Sequence, residues 1–316
     1  GVGDTGVLAL RDGVSPTPVD DGARKESGVA IGPDDAHAGG ASSAARSNPY
    51  AAKEIARSSP IVTCDWTGRV ISINIDSDSH GVKLDCPHGL PTEFEALSEL
   101  VALRVAGALG FTNGGAEISE IMYPLASTRW LAVVSLPSNS LKGRVPDVCD
   151  THTGFAFDSA LERLELSDNA LTGAFPGDGL ACARHLRHLD ASYNHLTGVL
   201  PDVWAESLHQ LRVLRFNNNP QLTGSIPTAW FPPLGDDDDD ALNSAGAGAY
   251  RLGNLVELDG TDCDLTGYLP ANLGGASWLA TLRLGGNRLE GAVPGSVTRL
   301  TQLRELSLRR NALSGG

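Results

Sequence analysis

The segment LRHLDASYNHLTGVLP, residues 186–201, contains the pattern that decides the fold, because the same frame returns along most of the chain. With x for variable positions, the frame is L-x-x-L-x-L-x-x-N-x-L-x-G-x-x-P, and Ala191 stands here at its third leucine. Copies of the frame begin at Leu131, Leu161, Leu186, Leu211, Leu255, Leu279 and Leu303. Self-similarity at a period of about 20–50 residues indicates a protein built from stacked repeats.

Each part of the frame has a structural role, and together these roles predict a solenoid. The L-x-x-L-x-L portion reads as a short strand with alternate side chains directed inward, and one repeat cannot cover its own leucines. Neighbouring repeats therefore stack and share a continuous core. The predicted fold is a leucine-rich repeat solenoid, a right-handed stack with a concave parallel β-sheet and an irregular or 3-10 convex side.

The asparagine that follows each strand is predicted to turn inward. Its amide would pair with backbone groups that the turn otherwise leaves buried without a partner. This structural ladder comprises Asn139, Asn169, Asn194, Asn219, Asn287 and Asn311. Cys263 takes the ladder position in the copy that begins at Leu255, where we expect a buried free thiol.

The third strand position departs from leucine in three successive copies. Ala191, Phe216 and Gly260 occupy it, so one large ring is flanked by two small residues when the copies stack. We predict that Phe216 fills the volume vacated on both sides. Its replacement by Ala should cost toward the upper end of about 3–5 kcal/mol.

The chain divides by composition into three parts. Residues 1–60 are rich in Gly, Ala, Ser, Asp and Pro and are predicted to be mostly disordered. Residues 61–98 are predicted to cap the N-terminal end of the core, and residues 99–316 to form the repeats, with an insert at 231–250. The five aspartates Asp236–Asp240 within the insert are interpreted as a solvated loop, because they lack the spaced ligands of a calcium site. No closing cap follows the last copy, so we expect the native protein to continue beyond Gly316.

Two tags, SDNALTGAFP (167–176) and NNPQLTGSIP (218–227), resemble the plant-specific class of leucine-rich repeats. That class occurs in ectodomains of receptor-like kinases and in polygalacturonase-inhibiting proteins. The segment VTCDWTGRV (62–70) is similar to the N-terminal cap of the class, although no cysteine precedes Cys64 to complete the usual pair. The resemblance implies a twisted solenoid that binds peptides, small signals or other proteins on its concave face, usually outside the cell.

Composition and cysteine usage restrict the classes of partner. The chain has 24 Lys plus Arg against 38 Asp plus Glu, a net charge of -14 that disfavours nucleic acid as a partner. No apolar stretch is long enough to span a membrane within this segment, and no cofactor or metal site is expected. His185 and His188 are interpreted as exposed surface histidines. Among the five cysteines, Cys64–Cys86 and Cys149–Cys182 are both candidate bridges.

The predicted concave face presents the strand residues that alternate with the core leucines. We expect these residues to face outward and to bind a protein or peptide partner: Arg163, Glu165, Asp168, His188, Asp190, Tyr193, Arg215, Asn217, Glu257 and Asp259. No Walker loop, H-E-x-x-H or G-x-S-x-G sequence is present, so we predict that the chain is not an enzyme. The favoured function is a recognition module of a receptor-like or secreted protein at the cell surface. The alternatives are a cytoplasmic scaffold and the ligand-binding segment of a receptor kinase.

Overall fold

The computed structural model describes residues 61–76, 84–85, 90, 92–110, 115–149, 160–234 and 251–315. The predicted disorder of residues 1–60 lies outside the described residues, as do Asp236–Asp240 and Cys86. Of the predicted insert at 231–250, only residues 231–234 are described.

The described elements are short strands separated by single turns of helix. The strands are β1 (Val62–Cys64), β2 (Val70–Asp76), β3 (Leu84–Asp85), β4 (Ala102–Ala106), β5 (Leu109–Gly110), β6 (Val133–Ser135), β7 (Lys142–Gly143), β8 (Arg163–Glu165), β9 (Ala170–Leu171), β10 (His188–Asp190), β11 (Thr197–Val199), β12 (Val213–Arg215), β13 (Gln221–Gly224), β14 (Glu257–Asp259), β15 (Asp264–Tyr268), β16 (Thr281–Arg283), β17 (Arg288–Gly291), β18 (Glu305–Ser307) and β19 (Ala312–Leu313). The α-helices are α1 (Ile118–Met122) and α2 (Trp204–Ser207). The 3-10 helices are Thr92–Ala96, Tyr123–Leu125, Asp178–Leu180, Thr228–Trp230, Leu273–Gly275 and Gly295–Arg299.

One large sheet runs through all the repeats and confirms the predicted solenoid. Its ten strands follow the order β1-β2-β4-β6-β8-β10-β12-β14-β16-β18, and every pair after the first is parallel. Equivalent residues of successive copies stand opposite each other, as Leu189 does to Leu164 and to Leu214. The chain therefore stacks copy on copy in one register, as the common frame requires.

The core lies behind this sheet and consists mainly of leucines, with an aromatic group in the middle copies. Trp204 and Trp230 are fully buried and stack with ring centroids 5.9 Å apart. The indole N–H of Trp204 donates to the Gly177 carbonyl at 2.9 Å, and that of Trp230 to the Pro201 carbonyl at 2.8 Å. Both buried donors thus find backbone acceptors in the preceding copy.

The ladder asparagines join one copy to the next through their amides. Asn194 Oδ1 accepts from the Leu171 N–H at 3.0 Å, and its Nδ2 donates to the Leu166 carbonyl at 2.9 Å. The other five asparagines make bonds of the same kind. These bonds satisfy backbone groups that stacking removes from water.

Cys263 interrupts the ladder, and the chain compensates locally. Its Sγ donates to the Phe216 carbonyl at 3.3 Å, but no amide oxygen is present to accept from Leu222. The Leu222 N–H instead donates to the Asn219 carbonyl at 3.0 Å. The one extra residue between Asn219 and Leu222, compared with the other copies, gives the backbone the length for this turn.

A second parallel sheet was not expected from the sequence. Strands β11-β13-β15-β17-β19 form it, and β7 pairs with β9 earlier in the chain. These strands follow the ladder positions, in segments that the sequence predicts to be irregular. Strands β7, β11, β13, β15 and β17 each contain the frame glycine, and β9 and β19 end two residues before it. The positive φ of this glycine (86° at Gly198) permits the bend there.

Two further predictions concern the packing of Phe216 and the pairing of the cysteines. A Cβ built on Gly260 would lie 2.6 Å from Phe216 Cζ, so the ring does fill the space beside Gly260. Cys149 and Cys182 form a disulfide, which confirms that candidate bridge. Cys64 is free, and Cys86, its candidate partner, lies outside the described residues. Cys263 is a buried free thiol, as predicted.

Candidate ligand-binding face

The strand register defines two rows of side chains on the outer face of the large sheet, the face predicted to be concave. The first row is Ser72, Ala102, Val133, Arg163, His188, Val213, Glu257, Thr281 and Glu305. The second row is Asn74, Arg104, Ser135, Glu165, Asp190, Arg215, Asp259, Arg283 and Ser307. Adjacent strands lie about 4.8 Å apart, so charged groups in these rows meet their neighbours directly.

Arg215 is held between the carboxylates of the two strands beside it. Its Nε and Nη2 donate to Glu257 Oε1 and Oε2 at 2.8 and 2.9 Å, and its Nη1 lies 3.5 Å from Asp190 Oδ2. The hydrogen bond from Arg215 holds the pKa of Glu257 below its ordinary value, against the effect of burial. This bidentate geometry fixes the orientation of the guanidinium plane as well as the position of its charge.

Arg283 makes a similar set of contacts one copy farther along. Its Nε and Nη2 each donate to the Glu305 carboxylate at 2.6 Å. Its Nη1 reaches Asp259 Oδ2 at 3.4 Å and Glu257 Oε1 at 3.5 Å. The hydrogen bond with Arg283 lowers the pKa of Glu305. The charged groups of β12, β14, β16 and β18 therefore form one continuous network.

A second charged cluster surrounds Glu165 on β8. Ser135 Oγ donates to Glu165 Oε2 at 2.5 Å, and Arg163 Nη1 donates to Oε1 at 2.7 Å. Burial alone would raise the pKa of Glu165, but these two hydrogen bonds, together with the charges of His188 and Arg163, lower it below its ordinary value. Burial and the neighbouring charge of Arg163 lower the pKa of His188, whose Nε2 lies 3.3 Å from Glu165 Oε1. Glu165 is thus ionised and already occupied by its neighbours.

The network borders an open depression of about 510 Å³ at the end of the strands. Its lining residues are Tyr193, Asn217, Asn218, Asp259, Thr261, Asp262, Arg283, Glu305, Leu306, Ser307 and Arg309. The Tyr193 side chain is 56% exposed at its edge, and its backbone has a φ of 53°. Left-handed backbone is unfavourable for a tyrosine, so this position presents an aromatic ring to solvent at a cost in stability.

The structure brings most of the predicted partner-binding residues onto one face. Tyr193, Asn217 and Asp259 share the depression, while Arg163, Glu165 and His188 lie in the Glu165 cluster. Asp168 is exposed on the turn after β8, where its carboxylate accepts from Ser138 Oγ at 2.8 Å.

The expectation of outward exposure is wrong for three of these residues. Asp190 and Asp259 are buried, each 8% exposed, because arginines of the adjacent strand lie over them and their Oδ1 atoms accept from backbone N–H groups two residues on. The His188 side chain is only 12% exposed and is not a surface histidine, although His185 is exposed. Alternation along a strand predicts which face a side chain takes but not what covers it.

Three residues outside the predicted partner-binding set occupy the same kinds of position as its members: Arg283, Glu305 and Asp262. Arg283 stands in register with Asp259, and Glu305 in line with Glu257. Asp262 precedes a ladder position, as Tyr193 does, and binds Arg310 Nη2 at 2.8 Å. A column-by-column comparison of all seven copies would have identified all three.

Two classes of feature are not found in the part of the chain that the structure describes. Its His, Cys, Asp and Glu side chains include no group of three or more placed to hold a metal ion. None of its helices has the length and apolar character needed to cross a membrane.

Comparison with known sequences agrees with this architecture. The leucine-rich repeat family model matches residues 185–206. Receptor-like protein 41 of Arabidopsis thaliana is 32% identical over 188 residues, which are 58% of this chain and 15% of that protein. Receptor-like protein 35 of the same plant is 30% identical over 158 residues, which are 50% of this chain. The chain therefore spans about 15% of the length of the curated relatives it matches.

Solved structures show the same fold. The plant peptide hormone receptor RGFR1 in complex with RGF2 has a TM-score of 0.61 at 24% identity, over 81% of this chain and 34% of that one. A plant ice-binding protein gives the same TM-score at 23% identity, over 81% of this chain and 77% of that one. A TDR receptor gives 0.55 at 26% identity, over 72% of this chain and 33% of that one. On its repeat frame, its fold and these relatives, the chain is a leucine-rich repeat solenoid that is similar to plant receptor-like proteins.

Proposed function

We propose that this chain is a non-catalytic recognition module that binds a peptide or protein segment on the outer face of its large sheet. The contact is centred on the depression beside Tyr193 and Arg283. The observation that carries the proposal is the exposed Tyr193 ring, held on unfavourable left-handed backbone beside an ordered network of charges.

The composition of the depression suits recognition of a polypeptide. Exposed tyrosine supplies a large contact area at a small entropic cost, and aromatic and arginine side chains are enriched among residues that dominate binding energy. Asn217, Asn218 and Thr261 add side-chain donors and acceptors that can pair with an extended backbone. The ion pairs hold Arg283 in place before a ligand arrives, which reduces the entropy lost on binding.

The relatives support the same kind of function. The curated relatives are receptor-like proteins, and one solved neighbour is the plant peptide hormone receptor RGFR1 in complex with RGF2. We therefore propose that the chain is part of a larger receptor-like protein, in which it recognises a peptide or protein ligand. The alternative of a ligand-binding segment in a receptor kinase uses the same face.

We also propose an extracellular or cell-surface location. The Cys149–Cys182 disulfide supports it, because disulfides persist in oxidising compartments and are rare in the cytosol. The curated relatives are receptor-like proteins, which also agrees with a cell-surface location.

Selection from a random-peptide phage library, followed by hydrogen exchange, tests the proposed surface. Peptides selected on the wild-type chain should slow exchange of backbone amides in β12, β14, β16 and β18 and in the turns at Asn218 and Thr261. Protection confined to the second sheet, for instance around Tyr268 in β15, would contradict the proposal. Enrichment of no peptide above an unrelated control protein would contradict it as well.

A further inference from the structure

A strip of uncharged side chains crosses four successive copies on the second sheet and on the adjoining copy that contains β9. In each copy the residues on either side of the frame glycine share this surface, because alternate residues of a strand take the same face. In the copies that begin at Leu161, Leu186, Leu211 and Leu255 these residues form the neutral face: Thr172, Ala174, Thr197, Val199, Thr223, Ser225, Thr266 and Tyr268. All are exposed or partly exposed, and none is charged, although charged residues make up 20% of the chain.

Strand register makes the neutral face continuous from copy to copy. The residue after one frame glycine stands opposite the residue before the next, as Ala174 does to Thr197 and Val199 to Thr223. Hydroxyl-bearing and small apolar side chains therefore alternate along the strip. Since adjacent strands lie about 4.8 Å apart, four copies give a strip that is about 14 Å long.

The frame glycines let the larger side chains of the neutral face lie across the next copy. A Cβ built on Gly291 would lie 2.5 Å from Tyr268 Cδ1, and one built on Gly224 would lie 2.8 Å from Val199 Cγ1. Any larger residue at these glycines would push the two side chains away. In this position the Tyr268 side chain remains 67% exposed, so its ring offers an open aromatic surface at one end of the strip.

The hydroxyl groups of the neutral face are not used by the fold. Within the part of the chain that the structure describes, the four threonine hydroxyls and those of Ser225 and Tyr268 make no hydrogen bond. Each of these groups has one proton to donate and lone pairs that accept. They are therefore available to a polar ligand that spans several copies.

Charged side chains border the neutral face. Lys142 and Arg144 hold the equivalent positions one copy before it, and Glu290 holds one of them in the copy after it. On β15, Asp264 pairs with Arg288 of β17, with Oδ1 and Nε 2.8 Å apart. Among the described residues, the middle of the face thus offers no counter-ion, which suits a ligand without charge.

A protein partner would need a different surface. The residues that dominate the binding energy of protein interfaces are mainly Trp, Tyr and Arg in a well-packed centre. On the neutral face a single ring stands beside threonines and small side chains. The face instead fits a ligand that presents hydroxyl groups along its whole length.

We propose that the neutral face binds a neutral polysaccharide, with one sugar ring stacked on Tyr268 and sugar hydroxyls bonded to the threonines. A sugar presents matching groups: the C–H faces of its ring are apolar and suit an aromatic surface, and its hydroxyls donate and accept as threonine does. A polysaccharide repeats these groups along its chain, as the face repeats its own from copy to copy. The site is independent of the peptide recognition proposed for the large sheet.

Hexasaccharides of different charge test the site without knowledge of the natural ligand. Cellohexaose, laminarihexaose and mannohexaose are neutral probes, and hexagalacturonate is an anionic probe of the same length. In NMR titrations of the isotope-labelled chain, at least one neutral probe should shift the amide signals of β11, β13 and β15 and leave those of β12, β14 and β16 in place. Shifts with no neutral probe, shifts confined to the large sheet, or tighter binding of hexagalacturonate than of every neutral probe would overturn the proposal.

Variants at Tyr268 test the stacking contact with the neutral probe that binds most tightly. Tyr268→Ala should weaken its binding by at least about tenfold, whereas Tyr268→Phe keeps the ring and should stay within about threefold of the wild type. Thr223→Val removes one hydroxyl at nearly constant shape and should weaken binding by about threefold.

Trp278→Ala is the matched control, because it removes an aromatic side chain that is 61% exposed but lies outside the neutral face. It should bind the probe like the wild type, with the circular dichroism of all variants unchanged. Equal affinity of Tyr268→Ala and the wild type, or an equal loss in Trp278→Ala, would overturn the proposal. Peptide binding at the Tyr193 depression is measured separately, so failure of one proposal leaves the other intact.

Discussion

Arg215 and Glu257 are 42 residues apart in sequence, yet they meet in a two-pronged ion pair with donor–acceptor distances of 2.8 and 2.9 Å. The pair joins β12 to β14 across the longest gap between copies of the frame. It joins the outer face of the two copies that are farthest apart in sequence. The continuity of the outer face therefore does not depend on uniform repeat length.

Phe216 and Gly260 should show strong energetic coupling. Phe216→Ala removes a fully buried ring and should lower the free energy of unfolding by about 3–5 kcal/mol. Gly260→Ala should also destabilise, because its Cβ would collide with the ring. In the double variant the methyl group enters space that the ring has left, so the combined loss should be smaller than the sum of the two single losses. Urea unfolding of the wild type, the two single variants and the double variant measures these losses. Losses of unfolding free energy that simply add in the double variant would contradict this packing.

Tyr193→Asn should stabilise the chain while removing the ring that we propose binds the ligand. Asparagine tolerates left-handed backbone, so relief of strain should raise the free energy of unfolding by about 1 kcal/mol. The Tyr193 N–H to Asn217 carbonyl bond at 2.8 Å is unaffected by the change. Asn218→Tyr is the matched comparison, because it introduces the same strain at the equivalent position of the next copy. The melting temperature should rise in Tyr193→Asn and fall in Asn218→Tyr. A loss of stability in Tyr193→Asn would show that the ring supports the fold.

Cys263 should make stability depend on alkaline pH. Burial raises the pKa of its thiol to about 12 from an ordinary value of about 9, so the unfolded chain releases the proton first. The contribution of the protonated thiol to the free energy of unfolding is fully present below pH 9. That free energy then falls by about 1.4 kcal/mol per pH unit as the pH rises from 9 toward 12. Comparison of urea unfolding with Cys263→Ala isolates this slope. Identical slopes for the two proteins would argue against a buried, protonated thiol.

The cysteine pairing should be visible in a count of thiols. Cys149 and Cys182 are bridged, whereas Cys64 and Cys263 are free, so reduction under denaturing conditions should add two thiols. Loss of the bridge in Cys149→Ser should lower the free energy of unfolding by about 3–4 kcal/mol, because it frees a loop with a sequence separation of 33. Cys64→Ser is the matched control and should leave stability unchanged. An increase of four thiols on reduction would contradict the free state of Cys64.

The sequence was sufficient for the features that depend on the repeat frame. The position of Phe216 beside Gly260 followed from register alone, because equivalent residues of successive copies must become neighbours. Burial of Asp190 did not follow, since it depends on an arginine of the next strand folding over it. The second sheet was missed for a related reason: its strands are only two to five residues long, all of them except β19 include a glycine, and only pairing between copies makes them strands.

Paired tyrosine variants test the central claim, recognition through the Tyr193 depression, most directly. Tyr193 and Tyr268 are exposed by 56% and 67%, but Tyr193 lies on the turn after β10 of the large sheet, whereas Tyr268 lies in β15 of the second sheet. Calorimetry with a peptide selected on the wild-type chain should show that Tyr193→Ala weakens binding by at least about tenfold, as expected for an anchoring aromatic residue. Tyr268→Ala should bind like the wild type, with the circular dichroism of both variants unchanged. Unchanged affinity in Tyr193→Ala, or a loss confined to Tyr268→Ala, would contradict the account.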